Sequence, residues 1–257
     1  MINGIPIWTV LLIGAGVFVA SFVDAIGGGG GIISVPVYLL AGLPTHYALG
    51  TNKMSSGIGT AASTLRYLSK GYVDWSLAPA SVLLAVGGAY VGTSLQLKAD
   101  EAILKYILLA VLPLAAGVLL RKKNLPEERG VLAPWKRRLA VWSSSLLIGV
   151  YDGFYGPGTG TFLLLAFCML GKLDVRTASG NVKLVNFSSN MGALATSLMA
   201  GRVYVGVGLV AAGFSITGHY FGAGLAIQNG TKIVRPVILC VIGLLLLRIV
   251  LELLGLI

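Results

Sequence analysis

The chain has 257 residues, 56% of them hydrophobic and 11% charged, with a formal net charge of +10. So little charge excludes a soluble globular domain or a disordered segment, and several runs of about 20 apolar residues are each long enough to cross a bilayer. The lysines and arginines fall mainly between those runs, where they orient helices in a membrane, so the basic balance does not describe a nucleic-acid binder.

Segment a, Ile5–Ile26, is read as a retained span, because it lacks a basic leader and a typical cleavage site. Segment b, Gly31–Leu43, is short and is closed by Pro44. Segment c, His46–Ser69, is more polar than its neighbours, and segments d, Trp75–Leu97, and e, Ala102–Leu120, complete the first half. A basic stretch, Arg121–Arg138, leads to a second set: a′ Leu139–Phe154, b′ Thr161–Leu170, c′ Thr177–Ala200, d′ Val203–Ile227 and e′ Thr231–Leu254. No strand-length period of two recurs, which argues against a membrane barrel.

The second set repeats the first. Gly87-Gly88-Ala89-Tyr90-Val91-Gly92 matches Thr217-Gly218-His219-Tyr220-Phe221-Gly222, and at the same offset of 130 Gly71 falls on Gly201 and Lys53 on Lys183. Asp24 and Asp152 align at an offset of 128. Ordered matches across both halves indicate duplication, a common signature of secondary transporters. With an odd number of crossings per half, thirteen lysines and arginines lie on the side of the linker and four on the other. An even number gives eleven and six, so the positive-inside rule favours inversion, with both termini outside.

The predicted fold is therefore an all-α polytopic membrane protein of two inverted repeats, residues 1–120 and 139–257, joined by a basic cytoplasmic linker, 121–138. Segments b and b′, 13 and 10 residues long, reach only about 15–20 Å as helix. They are predicted to be half-helices buried in protein, where broken backbone is tolerated at membrane depth. A conventional hydropathy plot would report about eight spans.

Two glycine-rich breaks stand before those half-helices: Asp24 to Gly31, with Gly28, Gly29, Gly30 and Gly31 in succession, and Asp152 to Thr161, with Gly156, Pro157, Gly158, Thr159 and Thr161. A helix starting there points free N–H groups and a positive dipole end at the middle of the protein, and bare glycine backbone lets a ligand approach. That suits an anion; close packing of small residues is the structural alternative. No strand precedes either break, so neither is a dinucleotide loop.

Lys53 and Lys183 lie inside segments c and c′ at matched positions. Around them are Thr51, Asn52, Ser55, Ser56, Asn181, Asn186, Ser188, Ser189 and Asn190. Ionisable residues within spans are expensive and face a cavity or a partner. The two ammonium groups beside two helix N-termini describe an anion site, unless each lysine pairs with its own Asp24 or Asp152 or snorkels to the interface. Those aspartates close segments a and a′, as caps on the unwound backbone or as coupling groups. His46 and His219 have no second histidine or cysteine at ligand spacing, so no metal centre, cofactor motif or catalytic triad is expected. Cys168 and Cys240, both in apolar runs, read as buried small residues.

Asp24 to Gly31, Gly42-Leu43-Pro44 and Ala48-Leu49-Gly50-Thr51-Asn52 resemble the TauE/SafE family of sulfite-exporter-like permeases. Gly156 to Thr161 and Ala178-Ser179-Gly180-Asn181 are similar to its second-half motifs. The resemblance implies a multi-pass protein of a bacterial or archaeal inner membrane. It further implies a transporter rather than an enzyme, with a small oxyanion such as sulfite or an organosulfonate as substrate. The expectation is export by alternating access around a midplane site of Gly28–Gly31, Thr51, Asn52, Lys53, Gly156, Gly158, Thr159, Thr161, Asn181 and Lys183. A cation transporter using Asp24 and Asp152, a sulfur-relay protein using Cys168, and a homodimeric assembly stay open.

Overall fold

The computed structural model describes residues 1–100 and 125–253. Segment e lies outside the described residues, as do Arg121, Lys122 and Lys123 of the linker. The described residues are helical apart from turns and one isolated bridge between Ile2 and Ile5. In chain order the helices are α1 Ile7–Gly27, α2 Gly31–Leu40, α3 Thr45–Ser69, α4 Ala78–Gln96, α5 Pro134–Phe154, α6 Thr159–Met169, α7 Val175–Met199, α8 Val205–Asn229 and α9 Thr231–Leu253.

Of the boundaries that differ from the sequence reading, three have local reasons. Segment d starts as a helix at Ala78, because Asp74 Oδ1 accepts hydrogen bonds from the backbone and hydroxyl of Ser76 and holds a turn there. Helix α5 begins at Pro134, inside the stretch read as linker, since proline is preorganised for a first helical position. Helix α7 starts at Val175, where the Asp174 side chain caps the N–H groups of Arg176 and Thr177.

Among the described residues, α1, α4 and α8 are long and apolar enough to cross a membrane on composition alone. Helices α3 and α7 carry hydroxyls, amides and a lysine inward, and α5 opens with Lys136, Arg137 and Arg138. Half-helices α2 and α6 are apolar but short, at 10 and 11 residues.

Helix α1 lies along α8, and α4 along α5, so the fourth helix of each half packs against the first helix of the other. Small residues allow this, since association between spans depends on close approach of backbones. A Cβ on Gly88 would stand 2.5 Å from the Leu146 carbonyl, and one on Gly218 2.5 Å from that of Phe18. Gly50 presses on the Arg202 carbonyl, and Gly180 on that of Tyr72. These contacts exchange between halves at the offsets of 128 and 130 found in the sequence. One apolar cluster joins α1, α2, α3 and α8 through Val10, Ile13, Val17, Tyr38, Ala48, Val207 and Ala211.

The basic turns gather at one end. Arg129 pairs with Asp74 at 2.7 Å, Arg137 donates to the carbonyls of Gly171 and Gly130, and Thr231 bonds Glu127. At the other end Asn3 accepts from the Val207 N–H, and Tyr47 stacks on Tyr204.

Candidate functional site

The site forms where the two breaks meet. At Gly28 the chain leaves α1 with φ +78°, and at Gly158 it enters α6 with φ +88°, left-handed conformations that glycine adopts without a Cβ penalty. A Cβ on Gly28 would collide with Gly160 and the Thr161 nitrogen, and one on Gly31 would stand 3.2 Å from the Pro157 Cα. The breaks thus touch back to back, and Thr161 Oγ1 donates to the Gly27 carbonyl at 2.8 Å to tie them. Neither α2 nor α6 has a side-chain N-cap.

Against the breaks, α3 and α7 bring their lysines, and the pairing crosses between halves. Lys53 Nζ lies 2.9 Å from Asp152 Oδ1, and Lys183 Nζ 3.0 Å from Asp24 Oδ2. Lys183 also donates to the Asp24 backbone carbonyl. The alternative in which each lysine pairs with the aspartate of its own half is therefore corrected. Both lysines are buried, which rules out snorkelling. The remaining carboxylate oxygens are also satisfied: Asp24 Oδ1 accepts from the Gly30 N–H at 3.0 Å, and Asp152 Oδ2 from the Ser189 hydroxyl at 2.7 Å. Asp24 is thus cap and ion-pair partner together, whereas Asp152 is held by two side chains, Lys53 and Ser189.

A small cavity of about 30 Å³ lies between these groups. Of the residues expected from sequence, Gly29, Gly30, Gly31, Asn52, Lys53, Gly156 and Thr159 line it, with Asp24 and Asp152. Lys183 stands behind Asp24. Gly28, Gly158 and Thr161 shape the breaks from outside the cavity. Thr51 lies outside it too and accepts from the Tyr204 N–H, while Asn181 donates to the Thr177 carbonyl. Thr159 spends its hydroxyl proton on the Gly156 carbonyl. Ser34, Ser21 and His219 line the cavity although no sequence signal marked them as site residues. Their inward placement comes from packing: Ser34 donates to Asn52 Oδ1 at 2.7 Å, and Ser21 bonds Ser215 at 2.6 Å.

Cys168 is buried as expected, whereas Cys240 is exposed on α9, and both are free. Among the described residues no group of three or more histidine, cysteine, aspartate and glutamate side chains is placed to hold a metal.

With this geometry in hand, comparison with known proteins is informative. The profile of the sulfite exporter TauE/SafE family matches residues 12–249. The chain belongs to that family. It is 35% identical over 226 residues to a probable membrane transporter protein, ORF9, of a Sinorhizobium species, covering 87% of this chain and 85% of the relative. A probable membrane transporter protein of Haemophilus influenzae is also 35% identical, over 86% of each chain. The probable membrane transporter protein YfcA of Escherichia coli K12 is 31% identical over 90% of this chain and 87% of its own length. No solved structure matches. This TauE/SafE protein is thus a multi-pass membrane transporter of the permease type, and its lysine–aspartate pairs sit where its two glycine-rich breaks converge.

Proposed function

We propose that this TauE/SafE protein exports a small sulfur-containing oxyanion, sulfite or an organosulfonate, across the inner membrane by alternating access. The observation that carries the reading is one cavity between the halves, lined by the Lys53 ammonium group and by Gly29, Gly30 and Thr159 at the starts of the two half-helices, with the Lys183 ammonium group behind Asp24. Compact oxyanions offer several acceptor oxygens, and charged N–H donors bind such groups about twice as strongly as neutral ones. The aspartates hold the lysines until an anion replaces them.

The mechanism uses residues 1–120 and 139–257 as inverted repeats around the cavity, with 121–138 as a cytoplasmic linker. Two contact sets support the inversion. Residues just before α1 meet the start of α8 at one end, and the start of α5 joins the basic turns at the other. The cavity has room for about two waters, so it must widen for an anion to enter.

A thermal-stability screen of the purified protein with sulfite, thiosulfate, methanesulfonate, sulfoacetate and small carboxylates, followed by counterflow in liposomes, tests the substrate class. Stabilisation by a sulfur oxyanion together with counterflow of the same anion is expected. Stabilisation by metal cations alone would replace the reading with cation transport.

A further inference from the structure

Lys53, Asp24 and Asp152 line the cavity and Lys183 stands behind Asp24, so the charges of these four groups sum to zero. If it binds anions as proposed above, a monovalent anion adds one uncompensated negative charge in a low-dielectric interior. Such a charge is strongly penalised unless a cation arrives with it.

One titratable side chain at the cavity stands outside that balance. His219 on α8 is 1% exposed, and its Nε2 lies 3.9 Å from Asp24 Oδ2 and 3.4 Å from Thr60 Oγ1. Thr60 gives its own hydroxyl proton to the Ser56 carbonyl, so its oxygen accepts from Nε2–H. Nδ1 is then left as a bare lone pair, and it is buried with no hydrogen-bond partner.

The charged groups facing the imidazole are few. Helix α1 presents Asp24, and α7 presents Lys183, which is held on Asp24. Helix α3 presents Lys53 across the cavity, and α5 presents Asp152 bonded to it. Arg66 of α3 is turned away onto the carbonyl and ring of Tyr220. The repeat counterpart of His219 is Ala89, so no histidine stands at the matching position in the first half.

We infer that His219, next to Asp24, takes up one proton for each monovalent anion bound, making the protein a proton–anion cotransporter with a single proton site in one of its two halves. The proton adds to the Nδ1 lone pair and the resulting imidazolium compensates the anion. On release both leave, and the four-charge balance is restored. Anion and proton travel the same way, so export proceeds when the cytoplasmic anion gradient outweighs the proton gradient.

The test uses the full-length protein in liposomes with a trapped pH dye, a potential set by potassium and valinomycin, and labelled methanesulfonate. That anion stays ionised at every working pH, so it cannot carry the proton itself. Wild type should move one proton per anion, and its anion flux should be insensitive to the membrane potential. His219→Gln should lose the proton from whatever anion flux remains, and that flux should become sensitive to potential. The ratio, not the rate, is the readout, so a general loss of activity does not mimic the effect. Wild-type anion flux without protons, flux tied to sodium instead of pH, or an unchanged ratio in His219→Gln would overturn the inference alone. Absence of wild-type counterflow with methanesulfonate, sulfite and thiosulfate would remove the anion-transport reading and this inference with it.

Discussion

At the residue scale, the two ion pairs decide what a substitution costs. Removing one partner of a buried pair strands the other charge and costs about 3–5 kcal/mol, while removing both is often close to neutral. Lys53→Ala should therefore lower the melting temperature of the detergent-solubilised protein markedly, and Lys53→Ala/Asp152→Ala should recover most of the loss. Counterflow should fail in both, because neither restores the ammonium group to the cavity. Lys183→Ala and Lys183→Ala/Asp24→Ala should repeat the pattern with less recovery, since Asp24 also accepts from the Gly30 N–H and faces His219. Transport retained by the stable double variants would remove the lysines from the binding role. Both lysines were legible as intramembrane charges at matched positions. Their partners were not, because nothing local in the sequence distinguishes an aspartate of the same half from one in the other.

At the element scale, the turn between α3 and α4 anchors the linker. Burial pushes the Asp74 carboxyl up, but hydrogen bonds from Ser76 and Arg129 outweigh that and hold it below its ordinary value. A carboxyl depressed in the folded state adds stability that is fully present above its unfolded pKa of about 3.9 and is lost as pH falls through the lower folded value. Asp74→Asn should thus be slightly less stable at pH 7 and show a flatter acid dependence below about pH 4. Unfolding midpoints measured from pH 3 to pH 7 check this, and an acid limb as steep as wild type would show that the contact contributes nothing. Helix ends were read from sequence to within a few residues. The misses at Ala78 and Pro134 came from an aspartate turn and from a proline that starts a helix instead of breaking one.

At the scale of the whole molecule, the small size of the cavity makes access the quantity to measure. Ser56 lines it on α3. In a background with Cys168 and Cys240 replaced by serine, Ser56→Cys should react with a membrane-impermeant thiol reagent applied from either side of a liposome. Saturating substrate should change both rates by several-fold. Reaction from one side only would argue against alternating access. The interlocking of α1 with α8 and of α4 with α5 means that the moving bodies need not coincide with the repeats. The cluster joining α1, α2, α3 and α8 marks one candidate rigid unit that borrows its last helix from the second half.

The sequence by itself determined the membrane class, the duplication, the two glycine breaks and the buried lysines. Apolar run length, small-residue spacing and a charge inside a span are local properties that survive without a fold. Only the tertiary structure decided that the breaks touch, that each lysine reaches the opposite half, and that His219 turns toward Asp24 where its counterpart is alanine. Those are relations between residues 99 to 195 positions apart in the chain. They are set by close packing of helix backbones, which no single segment encodes.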